Sequence, residues 1–173
     1  MIPPLGPHGR LPRGRHRGEL GEVAAMFVSD PRYAHSTTRQ GIWDDFVILL
    51  EALEPYAIME EVWISGSFLT EKENPGDLDL TFLMNVEKYQ GDVAAQVAHF
   101  LDAGRRLGTL DVYVIPWVSE GQATFSAVEE YRRARGYWDD WWQRDRDACG
   151  RAEAHHNALP KRGYVEVKLN DYL

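Results

Sequence analysis

Hydrophobic and polar positions alternate with two different periods along this chain, and each change of period marks a new element. "ELGEVAAMFV", residues 19–28, predicts a short helix. In "STTRQGIWDDFVILLEALEPY", residues 36–56, Ile42, Phe46, Leu49, Leu50 and Leu53 recur at helical spacing. This predicts a longer helix with one core face, Ser36 or Thr37 as N-cap, and Pro55 near its end. The period then drops to two. "AIMEEVWISGS", residues 57–67, reads as a strand. "DLDLTFLM", residues 77–84, sets Leu78, Leu80 and Phe82 on one face and Asp77, Asp79 and Thr81 on the other. A helical pattern over 86–108 closes at Gly108. "TLDVYVIPW", residues 109–117, predicts a third strand that Pro116 ends, and 126–147 a helix that Gly136 interrupts. "GYVEVKL", residues 163–169, is a fourth strand. This order predicts an α+β domain, built on a small mixed sheet of about four or five strands flanked by helices.

Composition narrows the class. A chain of 173 residues suits one domain with its own core, expected over 18–173. Residues 1–17, rich in Pro, Gly and Arg, read as a flexible basic arm carrying Arg10, Arg13, Arg15 and Arg17. The sharper expectation is an arm that folds back onto a phosphate-bearing partner. One cysteine, Cys149, excludes a disulfide within the chain. No apolar run has the length of a signal peptide core or a membrane span, so a soluble cytoplasmic protein is expected. The net charge of −8 argues against an extended nucleic-acid track, which needs a positive face. It leaves room for a small anionic ligand.

The candidate chemistry lies in "VWISGSFLTEKENPGDLDLTF", residues 62–82. Asp77 and Asp79 share a strand face, roughly 6.5–7 Å apart along it. Two such carboxylates repel unless a cation neutralises them, and oxygen-only ligation suits Mg²⁺ or Mn²⁺. Asp111, between Leu110 and Val112, repeats the apolar-acid-apolar pattern on the next strand and supplies a third carboxylate. Gly66-Ser67 forms a strand-to-helix turn whose backbone can approach an anion closely.

Gly-Ser, nine intervening residues, apolar-Asp-apolar-Asp and a later strand acid resemble the nucleotidyltransferase superfamily that includes DNA polymerase beta. The likeness is closer to its minimal, single-domain members. "WISGSFLTEKENPGDLDL", the upstream "LPRGRH" and the Trp-rich segment also resemble an uncharacterised family of bacterial and phage nucleotidyltransferase-like proteins. The motif covers about residues 60–115. The resemblance implies a nucleotidyltransferase-like fold in which Asp77 and Asp79 hold two metal ions. It implies that Asp111 completes the catalytic metal site nearest the attacking hydroxyl. Gly66, Ser67 and the nearby Lys72 would bind the nucleotide. The implied reaction moves a nucleoside monophosphate from an NTP to an acceptor hydroxyl on a protein, an RNA end or a small molecule. One departure stands out: minimal members carry arginines just after Gly-Ser, whereas this chain has Phe68-Leu69-Thr70. Lys72 is the nearest base, and the arginine arm is the candidate substitute. The resemblance also implies an alternative. The fold serves catalytically weak or inactive binding proteins, such as antitoxins or phage–host conflict factors, that act through a protein partner.

Other features carry less. His155 and His156 are adjacent, so a regular element points them apart, and no further ligand stands at metal spacing. Trp138, Trp141 and Trp142 recur at i, i+3, i+4 and predict one buried helical face, with a partner-binding or base-stacking surface as the other reading. Cys149 has no His-Asp pattern near it. No P-loop or dinucleotide-binding glycine motif occurs.

Overall fold

A computed structural model describes residues 1–119, 124–144 and 160–169. His155, His156, Cys149 and the end of the Trp-rich segment lie outside the described residues. The elements run β1 (Gly14–Arg17), α1 (Leu20–Phe27), α2 (Arg39–Leu53), β2 (Met59–Ser65), β3 (Leu78–Asn85), α3 (Gly91–Leu107), β4 (Leu110–Trp117), α4 (Phe125–Gln143) and β5 (Gly163–Lys168). The strands form one mixed five-stranded sheet in the order β1-β5-β2-β3-β4. The expected α+β class and small flanked sheet are what the chain adopts.

Strand alternation builds two cores. Val62, Ile64, Leu78, Leu80, Phe82, Val112, Val165 and Val167 face α1, α2 and α3 in the larger one. Trp63, Leu83, Ile115 and Tyr164 face the other way and pack with Trp142 of α4. Trp138 and Trp141 are partly buried against this second cluster, so the tryptophan stripe is packing. Each sheet face is covered, and the Asp79 carboxylate of β3 lies on the face that α4 crosses.

Three local expectations shift. α2 begins at Arg39, after Thr38, yet the Ser36 hydroxyl still accepts the Arg39 N–H at 3.2 Å as a cap. α4 runs through Gly136 without a break. Pro116 does not end β4, because Pro116 and Trp117 still pair with Met84 and Asn85. β4 is an edge strand, so the missing proline N–H costs no ladder bond.

The arm is the larger difference. Residues 14–17 are strand β1, parallel to β5. Ile2 and Leu11 are buried in the main core. Apolar anchors and a free strand edge outweigh the loose composition. Arg15 and Arg17 meet the buried Glu166 carboxylate at 3.0 and 3.1 Å. No helix of the described residues is long and apolar enough to cross a membrane.

Candidate active site

The site begins where β2 stops. Gly66 takes φ 84° and ψ −164°, a region open almost only to glycine. A Cβ at position 66 would lie 1.7 Å from Asp79 Oδ2. Any other residue here would collide with the carboxylate, so the turn and the acid are interlocked. Ser67–Leu69 then forms a single 3₁₀ turn.

Register assembles the acids. Ser65 on β2 pairs with Asp79 on β3, and Asp79 pairs with Asp111 on β4. Paired residues project to the same face of a sheet, with backbones about 4.8 Å apart. Leu78 N–H donates to Thr109 C=O at 2.9 Å, which opens the β3–β4 ladder and fixes Asp77 just ahead of it. Asp77, Asp79 and Asp111 are all half-buried at this sheet end. Tyr113, two residues beyond Asp111, donates its hydroxyl to Asp111 Oδ2 at 2.9 Å. Its ring lies 4.4 Å from that of Trp138 on α4. The Trp142 indole N–H donates to Thr81 Oγ1 at 2.9 Å, which ties α4 to the same strand.

The donor set is three carboxylates with no nitrogen or sulfur, which fits a hard divalent cation. The glycine at 66 lets the Asp79 carboxylate lie directly against the turn, so acid and turn share one place. Among the described residues no set of three or more His, Cys, Asp or Glu side chains stands gathered as a metal-binding group. Asp79 and Asp111 are sheet neighbours, with Asp77 just ahead of β3, rather than a closed ligand cage.

The loop between Ser67 and Asp77 is held from within. Arg39, buried at 1% exposure, donates from Nη1 to the Phe27 and Phe68 carbonyls, both at 2.7 Å. Its Nη2 donates to the Thr70 carbonyl at 2.8 Å and the Lys72 carbonyl at 2.6 Å. The guanidinium stacks 3.8 Å from the Tyr33 ring centroid, and Tyr33 donates its hydroxyl to the Thr70 carbonyl at 2.9 Å. The Arg39 Nε–H is buried with no hydrogen-bond partner among the described residues. Burial lowers the Arg39 pKa from the ordinary guanidinium value, and the group stays charged. Farther along, the Asn74 side chain accepts the Thr37 N–H at 2.8 Å.

The family described as "Family of unknown function (DUF6932)" matches residues 3–168. The chain belongs to DUF6932. Neither the curated proteins nor the solved structures give a match. The DUF6932 match runs from before β1 to the end of β5, so the arm, the Gly-Ser turn and all three aspartates fall inside it.

In this DUF6932 chain Gly66 meets Asp79, and Asp79 sits beside Asp111. Ser67 and Lys72 line a common groove one step outside. Sequence reasoning missed Tyr113 and Arg39. Tyr113 had a signal, since it follows Asp111 at i+2 and so shares its strand face. Arg39 had none, because it reads as an ordinary first-turn helix residue.

Proposed function

We propose that the chain is a metal-dependent nucleotidyltransferase, which moves a nucleoside monophosphate from an NTP to an acceptor hydroxyl. The supporting observation is the interlock of Gly66 with Asp79, in register with Asp111. It joins the three parts of the chemistry, an anion-accepting turn and two carboxylates, at one sheet end. Asp77, Asp79 and Asp111 would hold Mg²⁺ or Mn²⁺. A bound cation of this kind neutralises the triphosphate and supports in-line displacement at phosphorus. The acceptor oxygen forms a bond to the α-phosphorus while the bond from that phosphorus to the bridging oxygen breaks. Pyrophosphate leaves, and the hydroxyl's proton would pass to the Asp111 carboxylate beside it. Asp111 lies nearest that hydroxyl in this reading, and the Tyr113 O–H orients it by occupying one oxygen. Ser67 and the turn N–H groups accept the phosphate tail.

The test is thermal melting of the whole chain with ATP, GTP, CTP or UTP, each with and without Mg²⁺, beside Asp77→Asn/Asp79→Asn. A ligand that prefers the native state raises the melting temperature. A metal-dependent rise with at least one nucleotide, lost in the double variant, is expected. No rise with any nucleotide overturns the reading. A second reading, a binding protein that acts through a protein partner, draws on Phe125 and Tyr137, which α4 leaves 81% and 53% exposed. Under it the double aspartate variant would bind that partner unchanged.

A further inference from the structure

The side chains that follow Gly-Ser cannot hold phosphate. Phe68 and Leu69 are buried at 0% and 1% exposure, so an arginine there would displace the core. Arg39 reaches this loop, but its four terminal N–H groups all go to carbonyls on the inside. Cations for a polyphosphate must therefore come from other parts of the chain.

Three of them meet in one groove. Arg10, Lys72 and Arg162 line a cleft of about 300 Å³ together with His8, Ser67 and, as the one acid among the described residues, Glu71. The arm is seated firmly enough to hold Arg10 there. Arg10 bridges Thr70, and Glu71 N–H donates to the Gly9 carbonyl at 2.9 Å. A Cβ at Gly9, where φ is +65°, would lie 2.5 Å from Glu71 Oε2, so arm and loop are in close contact. Leu11, next in the chain, is buried at 1% exposure, and its carbonyl accepts Gly163 N–H at 3.0 Å. Arg162 enters from the far end of the chain and is steadied by donating Nε–H to the Trp142 carbonyl at 3.2 Å. Arg15 and Arg17 lie instead on β1, where they meet Glu166. A larger cavity of about 530 Å³ beside Arg17 is also lined by Glu19, Glu22 and Glu166, which repel a polyanion. Among the described residues, the groove beside Ser67 is lined by more basic than acidic side chains, on a chain of net charge −8.

We infer that the triphosphate tail of a nucleotide is gripped by Arg10, Lys72 and Arg162, cations brought from the arm, the loop and the approach to β5. This deepens the nucleotidyltransferase reading and rests on it for the nucleotide, though the groove can be probed without the carboxylates. Two of the three are arginines, whose forked donors suit phosphate oxygens.

The experiment is isothermal titration of the whole chain with inorganic tripolyphosphate in EDTA. The variants are Arg10→Ala, Arg162→Ala, Arg10→Lys and, as a control outside the groove, Arg13→Ala. Tripolyphosphate is expected to bind without metal. Arg10→Ala and Arg162→Ala should each weaken it about tenfold or more, the scale of a lost charged hydrogen bond. Arg10→Lys should recover part of the loss, and Arg13→Ala should bind as wild type. Circular dichroism melts confirm that each variant is folded. Absence of tripolyphosphate binding, wild-type affinity in both alanine variants, or equal affinity for orthophosphate would each overturn the inference. Asp77→Asn/Asp79→Asn separates the two readings. If it binds tripolyphosphate normally while no NTP with Mg²⁺ stabilises the wild type, the groove stands and the nucleotidyltransferase reading falls. If Mg²⁺-dependent nucleotide binding is present and indifferent to Arg10 and Arg162, the reading stands and the groove falls.

Discussion

Replacing Arg39 with methionine should uncouple the loop after Gly-Ser from the body of the protein. Four charge-assisted hydrogen bonds of 2.6 to 2.8 Å disappear together. Those to Thr70 and Lys72 are only partly buried, so water replaces much of them. Those to Phe27 and Phe68 are buried, and their carbonyls lose a charged donor with nothing in return. At about 1.5–3 kcal/mol for a hydrogen bond to a charged group, the two buried bonds represent about 3–6 kcal/mol. Relief from burying a charge and the packing of the methionine side chain return about 1–2 kcal/mol. The expected net loss is about 2–4 kcal/mol, a large share of a typical 5–15 kcal/mol. Urea denaturation at constant m-value measures it, and hydrogen exchange locates it. Amides of residues 67–72 should exchange faster than those of β3. Arg39→Lys should lose nearly as much, because one ammonium cannot reach four carbonyls in a planar fork. A methionine variant within about 0.5 kcal/mol of wild type, with unchanged loop protection, would refute the reasoning.

Three more outcomes follow from the same coordinates. Gly66→Ala meets both a glycine-only backbone region and an Asp79 oxygen 1.7 Å from the new carbon. It should cost about 2–4 kcal/mol in urea melts and abolish any Mg²⁺-dependent nucleotide stabilisation; near-wild-type values for both would contradict the interlock. Glu61 has its pKa raised above the ordinary 4.5, first by burial and then by the nearby Glu166 charge. The native state therefore holds a proton that the unfolded chain releases just above pH 4.5, and stability falls as pH rises through that window. Glu61→Gln should raise the melting temperature at pH 7 and lose the advantage below about pH 4.5; no gain at pH 7 would count against it. Tyr113→Phe removes the donor to Asp111 and should raise the Mg²⁺ concentration needed for nucleotide stabilisation about 10- to 100-fold, with little change in the metal-free melt.

The elements that were legible in the chain are those whose signal is local. The alternation in "DLDLTFLM" set Leu80 against Asp79 before any partner strand was considered, and the sheet uses that split. The tryptophans of α4 were readable as one face for the same reason. What stayed hidden depends on partners far away. Pro116 stops a strand by local rules, yet the edge position of β4 removes the penalty. The arm is mostly polar and glycine-rich, and its order comes from Ile2, Leu11 and the free edge of β5. At the site, the spacing brought out Gly66, Asp77, Asp79 and Asp111. Nothing near Arg39 in sequence announces that it binds carbonyls 12 to 33 residues away.

The place of β5 in the sheet sets a clock on assembly. Strands β2, β3 and β4 are near in sequence and can pair as soon as they exist, whereas among the described residues β1 pairs with β5 alone. Arg17 and Glu166, which meet across that pair, are 149 residues apart. Closing so long a loop is a late and slow event in folding. As a ribosome releases this chain, the aspartate strands would be in register while the arm still drifts and one edge of β2 stands open. Arg162, which directly precedes β5, joins the groove only once that last strand has been made. A truncated or stalled product that lacks β5 would therefore carry Asp77, Asp79, Asp111 and Lys72 without Arg162, and would leave an edge of β2 exposed.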